Sequence, residues 1–484
     1  MYEERNGLHY YRHCIAGAWV EGSGAIEVEN PATGEMVAVV PAGGEAEAAA
    51  ALEAAARAQP AWAALPPIRR ADHLRRLAAL VERDAEALAR LVTMEQGKPL
   101  AEARGEVAGT ALYLTYAAEE ARRLTGDILP SDEAQEQVWI QRVPHGVVVA
   151  LTAWNYPLAL TTRKLGPALV TGNTVVVKPH EGTPLSALHL AALAMEAGFP
   201  PGIFNVVTGT GTALGEALVR HPLTDLVTLT GSVRAGKAVF AAAASGLKVL
   251  RLELGGKAPF IVAEDADLDR AVDAAIVSRF ENCGQICICN ERMYVADSVA
   301  DAFMAKFLDR VRKLEVGDPL EAVDVGPKFS AAELAKVEAM VDAARAAGAE
   351  VLTGGHRLDT GRFARGHWYA PTVLAGVDHS MAVMRQEIFG PVVPVMRVRD
   401  FDEALRLAND SAYGLSAYVF TRDMRRLMRL VAELDFNEIY VNRPGGDAVH
   451  AHHAGHGDSG LGGEDGKYGI EGYLRKKTIY VNWA

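Results

Sequence analysis

The sequence predicts an α/β protein: a doubly wound, Rossmann-type parallel sheet followed by a second α/β region. Two observations carry this. Short apolar runs at 147–151, 174–177, 204–207, 226–229 and 249–252 alternate with Ala-, Leu- and Glu-rich windows of helical length. After Gly255 the alternation resumes with new runs and helices. Strand and helix in alternation place parallel strands between two helical layers, and such sheets bind nucleotides at their strand ends.

In chain order, residues 45–125 read as mainly helical: Leu74, Leu77, Val81 and Leu88 recur at helical spacing among charged residues. The five apolar runs follow. Beyond Gly255 the pattern predicts helices at 267–281, 298–314 and 331–347, and strands near 291–295, 391–398, 416–420 and 438–441. Two outlying pieces, about 128–146 and 468–482, look extended. An isolated ribbon is marginally stable, so these need a partner such as a neighbouring subunit.

Composition narrows the function. The chain has 484 residues, 50% hydrophobic, with 49 basic against 61 acidic residues and a net charge of -12. That is enough for two or three domains, and its acidic balance disfavours nucleic acid and anionic membrane as partners. Residues 1–19 show no secretory pattern, and the most apolar window, 147–160, is interrupted by Asn155 and Pro157. Four cysteines, three of them clustered, make no disulfide framework and point to a reducing, cytoplasmic setting.

That cluster, ENCGQICICNER at 281–292, is the most informative segment. Its C-x3-C-x-C spacing lacks a second cysteine pair for tetrahedral zinc. HAHHAGH at 450–456 keeps a zinc site as an alternative, but the expectation is no metal. Buried cysteines acting as small hydrophobes are the commoner reading. Here Gly284 and Gln285 predict an accessible turn, which suits a nucleophilic thiolate. A reversible disulfide between Cys287 and Cys283 or Cys289 is a further possibility.

LELGGKAP, 252–259, puts Glu253 at a strand end between Leu252 and Leu254. A carboxylate in apolar surroundings is raised toward neutrality and works as a general base; a solvated strand-end Glu is the plainer reading. TAWNYP, 152–157, runs from a strand into a helix, and Asn155 there is either a helix cap or a fixed donor to an oxyanion. GTGTALG (209–215), TGSVRAG (230–236) and VKPHEGTP (177–184) are three strand-to-helix turns. Each alone is weak; together in one sheet they favour a dinucleotide, with pyrophosphate at a helix N-terminus and ribose near Lys178 and Glu181.

TAWNYP, VVKPHEGTP, TGSVRAG, LELGGK, GQICICNER, QEIFGP (386–391) and NDSAYGLSAYVFT (409–421), in this order and spacing, resemble the aldehyde dehydrogenase superfamily from about residue 14 to the C-terminus. Within it, CICNER and HAGHGDSGLGGEDGKYGIEGYL are most similar to lactaldehyde/glycolaldehyde dehydrogenases. The resemblance implies an NAD domain from 1–127 and 147–253, a catalytic domain from 254–450, and a bridging β ribbon from 128–146 and 466–484 that builds homodimers or homotetramers. It implies Cys287 as nucleophile, Glu253 as general base, and Asn155 as oxyanion donor together with the Cys287 N–H. NAD would lie against Thr152, Ala153, Trp154, Lys178, Glu181, Gly211, Gly215, Thr230, Gly231, Ser232, Leu254, Glu387 and Phe389. The Glu181 carboxylate would repel a 2′-phosphate, so NAD is preferred to NADP.

For the substrate, the resemblance points to Arg163 and His453 at the pocket mouth, with Ile288 and Asp447 where the lactaldehyde-like branch commonly has Asn and Glu. Imidazole and guanidinium suggest a polar aldehyde, such as lactaldehyde or glycolaldehyde. The alternatives are a larger aromatic, sugar-derived or semialdehyde substrate, acylating chemistry with coenzyme A, or a non-catalytic scaffold of the same fold.

Overall fold

The computed structural model describes residues 1–446 and 448–484. The five apolar runs form the parallel core of an eight-stranded sheet, in the order Val249–Glu253, Leu226–Thr230, Val147–Leu151, Thr174–Lys178, Phe204–Val206. The first strand in sequence lies in the middle and the winding reverses beside it, so a crevice opens at the strand ends. The register brings those ends level: Leu151 pairs with Lys178 and Leu229, and Thr230 with Glu253. Short antiparallel strands finish both edges: His13–Ile15 and Ala18–Val20 on one side, Gly460–Leu461 on the other.

Residues 45–125 fold as four helices, Glu45–Ala64, Pro67–Arg83, Ala85–Gln96 and Leu100–Glu119. Leu74, Leu77 and Val81 fall on the second, but Leu88 falls on the third, because the chain leaves helical geometry at Asp84. Pro67 starts the second helix at a position where a missing N–H costs nothing, and Gly97 (φ 94°) ends the third in a left-handed cap.

The chain then crosses into a seven-stranded sheet, ordered Glu350–Thr353, Thr372–Ala375, Val392–Val398, Asn290–Ala296, Ala258–Val262, Ser416–Phe420, Glu438–Val441. The four expected strands are present. The buried strand Ala258–Val262 was not expected, since its short apolar run carries no period that separates strand from helix. Helices Phe401–Asn409 and Met424–Glu433 also exceed the expectation.

The outlying pieces pair with each other. Leu474–Asn482 lies antiparallel to Glu136–Pro144, which pairs with Asp127–Pro130. The expectation of an extended 468–482 is corrected at its start, where Gly466–Glu471 is a helix packed near Pro157–Val170. No helix among the described residues is long and apolar enough to cross a membrane.

Candidate active site

A cavity of about 1020 Å³ opens where the two sheets meet, at the strand ends of the first. Ligand clefts run to roughly 300–1,000 Å³, so this one has room for two ligands. Cys287 and Asn155 are on its wall, and so are all the residues expected to hold the dinucleotide.

The Cys287 loop owes its shape to backbone in an unusual region. Asn282, Cys283 and Gly284 are successively left-handed, with φ of 48°, 56° and 70°. Such conformations persist where the surroundings over-determine them. Here Glu102 accepts from the Asn282 N–H at 2.9 Å and Gln96 donates to Asn282 Oδ1 at 3.0 Å. Asn282 Nδ2 donates to the Asn155 carbonyl at 3.0 Å, and Arg279 donates to the Gly284 carbonyl at 2.7 Å. A Cβ on Gly284 would strike the Gly390 carbonyl, which closes this corner to any other residue. The loop's two ends are thereby buried while Cys287 stays half-buried at the cavity. Burial pushes the Cys283 and Cys289 thiols up to about 12, so neither ionises readily. Among the described residues no cluster of three His, Cys, Asp or Glu is placed to hold a metal.

Asn155 does not cap its helix; its Nδ2 donates to the Gln285 carbonyl at 2.9 Å. The cap comes from a residue the sequence did not flag: Glu106 Oε1 accepts from Leu158 and Ala159 N–H at 2.9 and 3.2 Å. Its other oxygen holds the fully buried Lys98 ammonium at 2.6 Å. Glu102 and Glu106 stand four apart on one helix face, a spacing that is in the sequence but points to nothing without the neighbours.

Glu253 ends its strand 3% exposed, and neither carboxylate oxygen has a hydrogen-bond partner. Burial pushes its carboxyl well above the usual range. The glycine pair after it allows close approach: a Cβ on Gly256 would strike the Cys287 carbonyl, and one on Gly255 would lie 2.5 Å from Glu387. Glu253 itself is not part of the cavity wall. His453 adjoins Glu253: its Nε2 is 3.7 Å from Glu253 Oε2 and its Nδ1 is 2.6 Å from Glu438 Oε1. The imidazole is buried, 3% exposed. Arg163 does line the cavity, but its guanidinium is bridged to Asp465, with Nε 2.9 Å from Oδ1, and lies 3.4 Å from Glu464. Ile288 lines the cavity beside Cys287; Asp447 lies outside the described residues.

The dinucleotide half fits its ligand. Thr152 Oγ1 is buried without a partner at the strand end. Ser232 Oγ caps the helix Val233–Ala243 through the Ala235 N–H at 3.2 Å, and the first N–H groups of that helix have no acceptor within it. Lys178 Nζ is 3.3 Å from Glu181 Oε2, and Gly215 leaves space beside the lysine stem. Across the cleft, Glu387 Oε1 accepts from the Gly256 N–H at 2.9 Å, and burial lifts its carboxyl to about 7. Phe389 is left-handed (φ 55°), held because its N–H and that of Ile388 donate to Glu291. Trp154 stacks on Phe329 at 4.4 Å and meets Phe389 edge-on at 5.3 Å, walling the cleft between the halves.

Comparison with known proteins agrees with this architecture. The sequence pattern of the Aldehyde dehydrogenase family matches residues 19–479. A 3,6-anhydro-alpha-L-galactose dehydrogenase of Vibrio sp. (strain EJY3) is 48% identical, covering 98% of this chain and 99% of its own. A glutarate-semialdehyde dehydrogenase of Pseudomonas aeruginosa is 44% identical, covering 96% of each chain. The lactaldehyde dehydrogenase of Escherichia coli (strain K12) is 41% identical, over 95% of this chain and 96% of that one. A solved 3,6-anhydro-L-galactose dehydrogenase in complex with NAP superposes with a TM-score of 0.96 at 47% identity, over 98% of this chain and 100% of that one. A family match spanning nearly the whole length, on the fold and site just described, means that this chain belongs to the aldehyde dehydrogenase family, a family of NAD(P)-dependent oxidoreductases.

Proposed function

We propose that the chain oxidises a neutral, hydroxylated aldehyde to its carboxylic acid through a thioester on Cys287, with NAD preferred. Cys287 Sγ attacks the aldehyde carbon. The oxyanion is received by the second N–H of the Asn155 amide and by the Cys287 backbone N–H. NAD held at Lys178, Glu181, Ser232 and Glu387 would supply the hydride acceptor that conversion of the thiohemiacetal to a thioester requires. Glu253 then takes a proton from water, the resulting hydroxide attacks the thioester carbon, and the acid leaves as Cys287 regains its thiolate. Reaching that water requires the Glu253 carboxylate to turn toward the cavity.

The substrate reading rests on one observation: the Arg163 charge at the cavity is already matched by Asp465 and Glu464. A carboxylate-bearing semialdehyde would compete with both, whereas hydroxyl groups find polar walls at Tyr113, Tyr156 and Ser278. Small hydroxyaldehydes such as lactaldehyde and glycolaldehyde fit this chemistry. A sugar-derived aldehyde does too, and the 48% identical anhydrogalactose enzyme favours it as the second reading.

An absorbance assay of NADH formation tests the proposal on lactaldehyde, glycolaldehyde, 3,6-anhydrogalactose, and succinic and glutaric semialdehydes. At least one neutral hydroxyaldehyde is expected to exceed both semialdehydes in kcat/KM by about tenfold, the equivalent of ~1.4 kcal/mol. A semialdehyde in first place overturns it.

The family resemblance also supports residues 1–127 and 147–253 as the NAD domain, 254–450 as the catalytic domain, and 128–146 with 466–484 as an oligomerisation ribbon. Ile128, Tyr480 and Trp483 on that ribbon are 70%, 70% and 56% exposed, an apolar surface suited to a second subunit in a homodimer or homotetramer. We place the protein in the cytoplasm, from its cysteine usage.

A further inference from the structure

We propose that Lys328, with Phe329 beside it, is a positioning residue for hydride transfer: it ties the Phe389 wall of the cleft to the loop that carries Cys287. The proposal rests on Phe389 being the wall for the nicotinamide and on Cys287 being the nucleophile.

Lys328 is wholly buried, and its Nζ donates to the Phe389 carbonyl. Lys98, Lys164 and Lys257 are buried too, but each of them meets a glutamate. Lys328 is aimed instead at one backbone carbonyl. Burial lowers its amine to about 8, and the bond does not depend on the charge: a neutral amine still has N–H groups to donate. The carbonyl it holds belongs to a residue in an uncommon conformation. Phe389 has a φ of 55°, which a bulky side chain rarely adopts, and its N–H donates to Glu291 at 3.0 Å. Both peptide groups that aim the Phe389 ring are therefore tied, one to Glu291 and one to Lys328.

Phe329 completes the connection. Its N–H donates to Gln285 Oε1 at 3.0 Å, and Gln285 stands two residues before Cys287. Its ring stacks on Trp154 at 4.4 Å with the planes 12° apart, and Trp154 meets the Phe389 ring edge-on. A Cβ on Gly182 would come within 2.5 Å of the Phe329 ring, so the turn at Lys178 and Glu181 is shaped around it as well. The two residues lie in irregular chain ahead of the helix Ala331–Ala346, so these bonds and the Lys328 N–H to His367 carbonyl bond at 2.7 Å are what fix them. Hydride transfer needs its two carbons about 3–3.5 Å apart, and a misplacement of about 1 Å can slow a reaction roughly 10²-fold. Adjacent residues that grip the wall on one side and the nucleophile loop on the other set that separation.

The test is Lys328→Met, which keeps the length of the side chain and removes its donors, with Lys328→Gln as a milder variant should the first fold poorly. Three quantities are read: the first-turnover rate of NADH formation at saturating NAD, NAD affinity by calorimetry, and the rate at which iodoacetamide alkylates Cys287 without NAD. The aldehyde is the one with the highest kcat/KM in the NADH assay, unlabelled and deuterated at its carbonyl carbon. The first turnover of Lys328→Met is expected to slow about tenfold and to be slower still with the deuterated aldehyde, as a misplaced hydride transfer would be. NAD affinity should weaken about threefold, the size of one lost hydrogen bond. Cys287 alkylation should stay at the wild-type rate. Lys328→Gln, which retains N–H donors, should show the same pattern to a smaller extent.

An unchanged first turnover overturns the proposal, whether or not NAD affinity falls. So does a first turnover that slows together with Cys287 alkylation, because the nucleophile loop itself would then have moved. Phe389→Ala separates this idea from the reading beneath it. If Phe389→Ala slows the first turnover and Lys328→Met does not, only the Lys328 proposal fails; if Phe389→Ala leaves it unchanged, the assignment of Phe389 as the nicotinamide wall fails.

Discussion

The Asn155 side-chain amide donates to the Gln285 carbonyl across 2.9 Å, joining the end of the central strand of one sheet to the loop that carries Cys287. The bond uses one of the two N–H groups of the amide. Asn155→Ala removes both the tether and the proposed oxyanion donor. A fall in kcat of about 10²–10³ is expected, the size seen for a lost oxyanion-hole donor. Steady-state NADH formation measures it, with circular dichroism to confirm the fold.

Cysteine modification should be selective. Cys287 is half-buried on the cavity, whereas Cys14, Cys283 and Cys289 are buried with thiols pushed up to about 12 by burial. Brief iodoacetamide treatment of the native protein at pH 7.5, followed by peptide mass mapping, should label Cys287 alone and abolish activity. In denaturant all four should react. Labelling of Cys283 or Cys289 in the native protein would contradict this burial pattern.

The hydrolytic step should rise with pH. Burial lifts the Glu253 carboxyl to about 8, so below that pH it is protonated and takes no proton from water. The rate of acyl-enzyme decay is expected to climb between about pH 7 and 9 and then level. The same shift has a stability sign. A carboxyl raised in the folded state contributes stability below its unfolded value near 4.5, and that contribution is lost as pH rises through about 8.

Glu291 behaves oppositely. Burial alone would raise its carboxyl, but Lys257 at 2.8 Å and Arg279 at 2.9 Å hold it down at about 2. Its contribution to stability is present above about 4.5 and lost as pH falls toward 2. Lys257→Met leaves a buried carboxylate short of a partner and is expected to cost about 3–5 kcal/mol, read as a lowered urea midpoint. Because Glu291 also holds the Ile388 and Phe389 N–H groups, KM for NAD should rise as well.

Cofactor choice should depend on Glu181, whose carboxylate is paired with Lys178 and only partly exposed. Glu181→Gln removes the charge that a 2′-phosphate would meet and leaves the lysine free to attract it. The ratio of kcat/KM for NADP over NAD is expected to increase about tenfold or more, equivalent to ~1.4 kcal/mol. An unchanged ratio would place the selectivity elsewhere.

Much was legible in the sequence because its signals are local. The five buried strands read as apolar runs bounded by turns, and the alternation with helices left one sheet architecture available. The cleft proposed for the dinucleotide was legible for a related reason: ligands gather at strand ends, and the turns after residues 151, 178 and 230 are contiguous motifs. What remained hidden lacked a period or a motif. The strand Ala258–Val262 is too short and too apolar to be told from a helix, and Gly466–Glu471 is a single short turn of helix within polar sequence.

The candidates for the reacting residues, then, could be named from sequence alone, since the proposed nucleophile, base and amide each sit inside a short recognisable segment. Their arrangement was decided by tertiary structure. Nothing near residue 282 announces that Gln96 and Glu102, some 180 positions earlier, hold its left-handed backbone. Nothing near residue 453 announces that its ring lies between Glu253, at 3.7 Å, and Glu438, at 2.6 Å. The physical reason is the same in both cases: an unsatisfied buried polar group is costly, and the partner that relieves it is chosen by packing between distant elements, which no local pattern encodes.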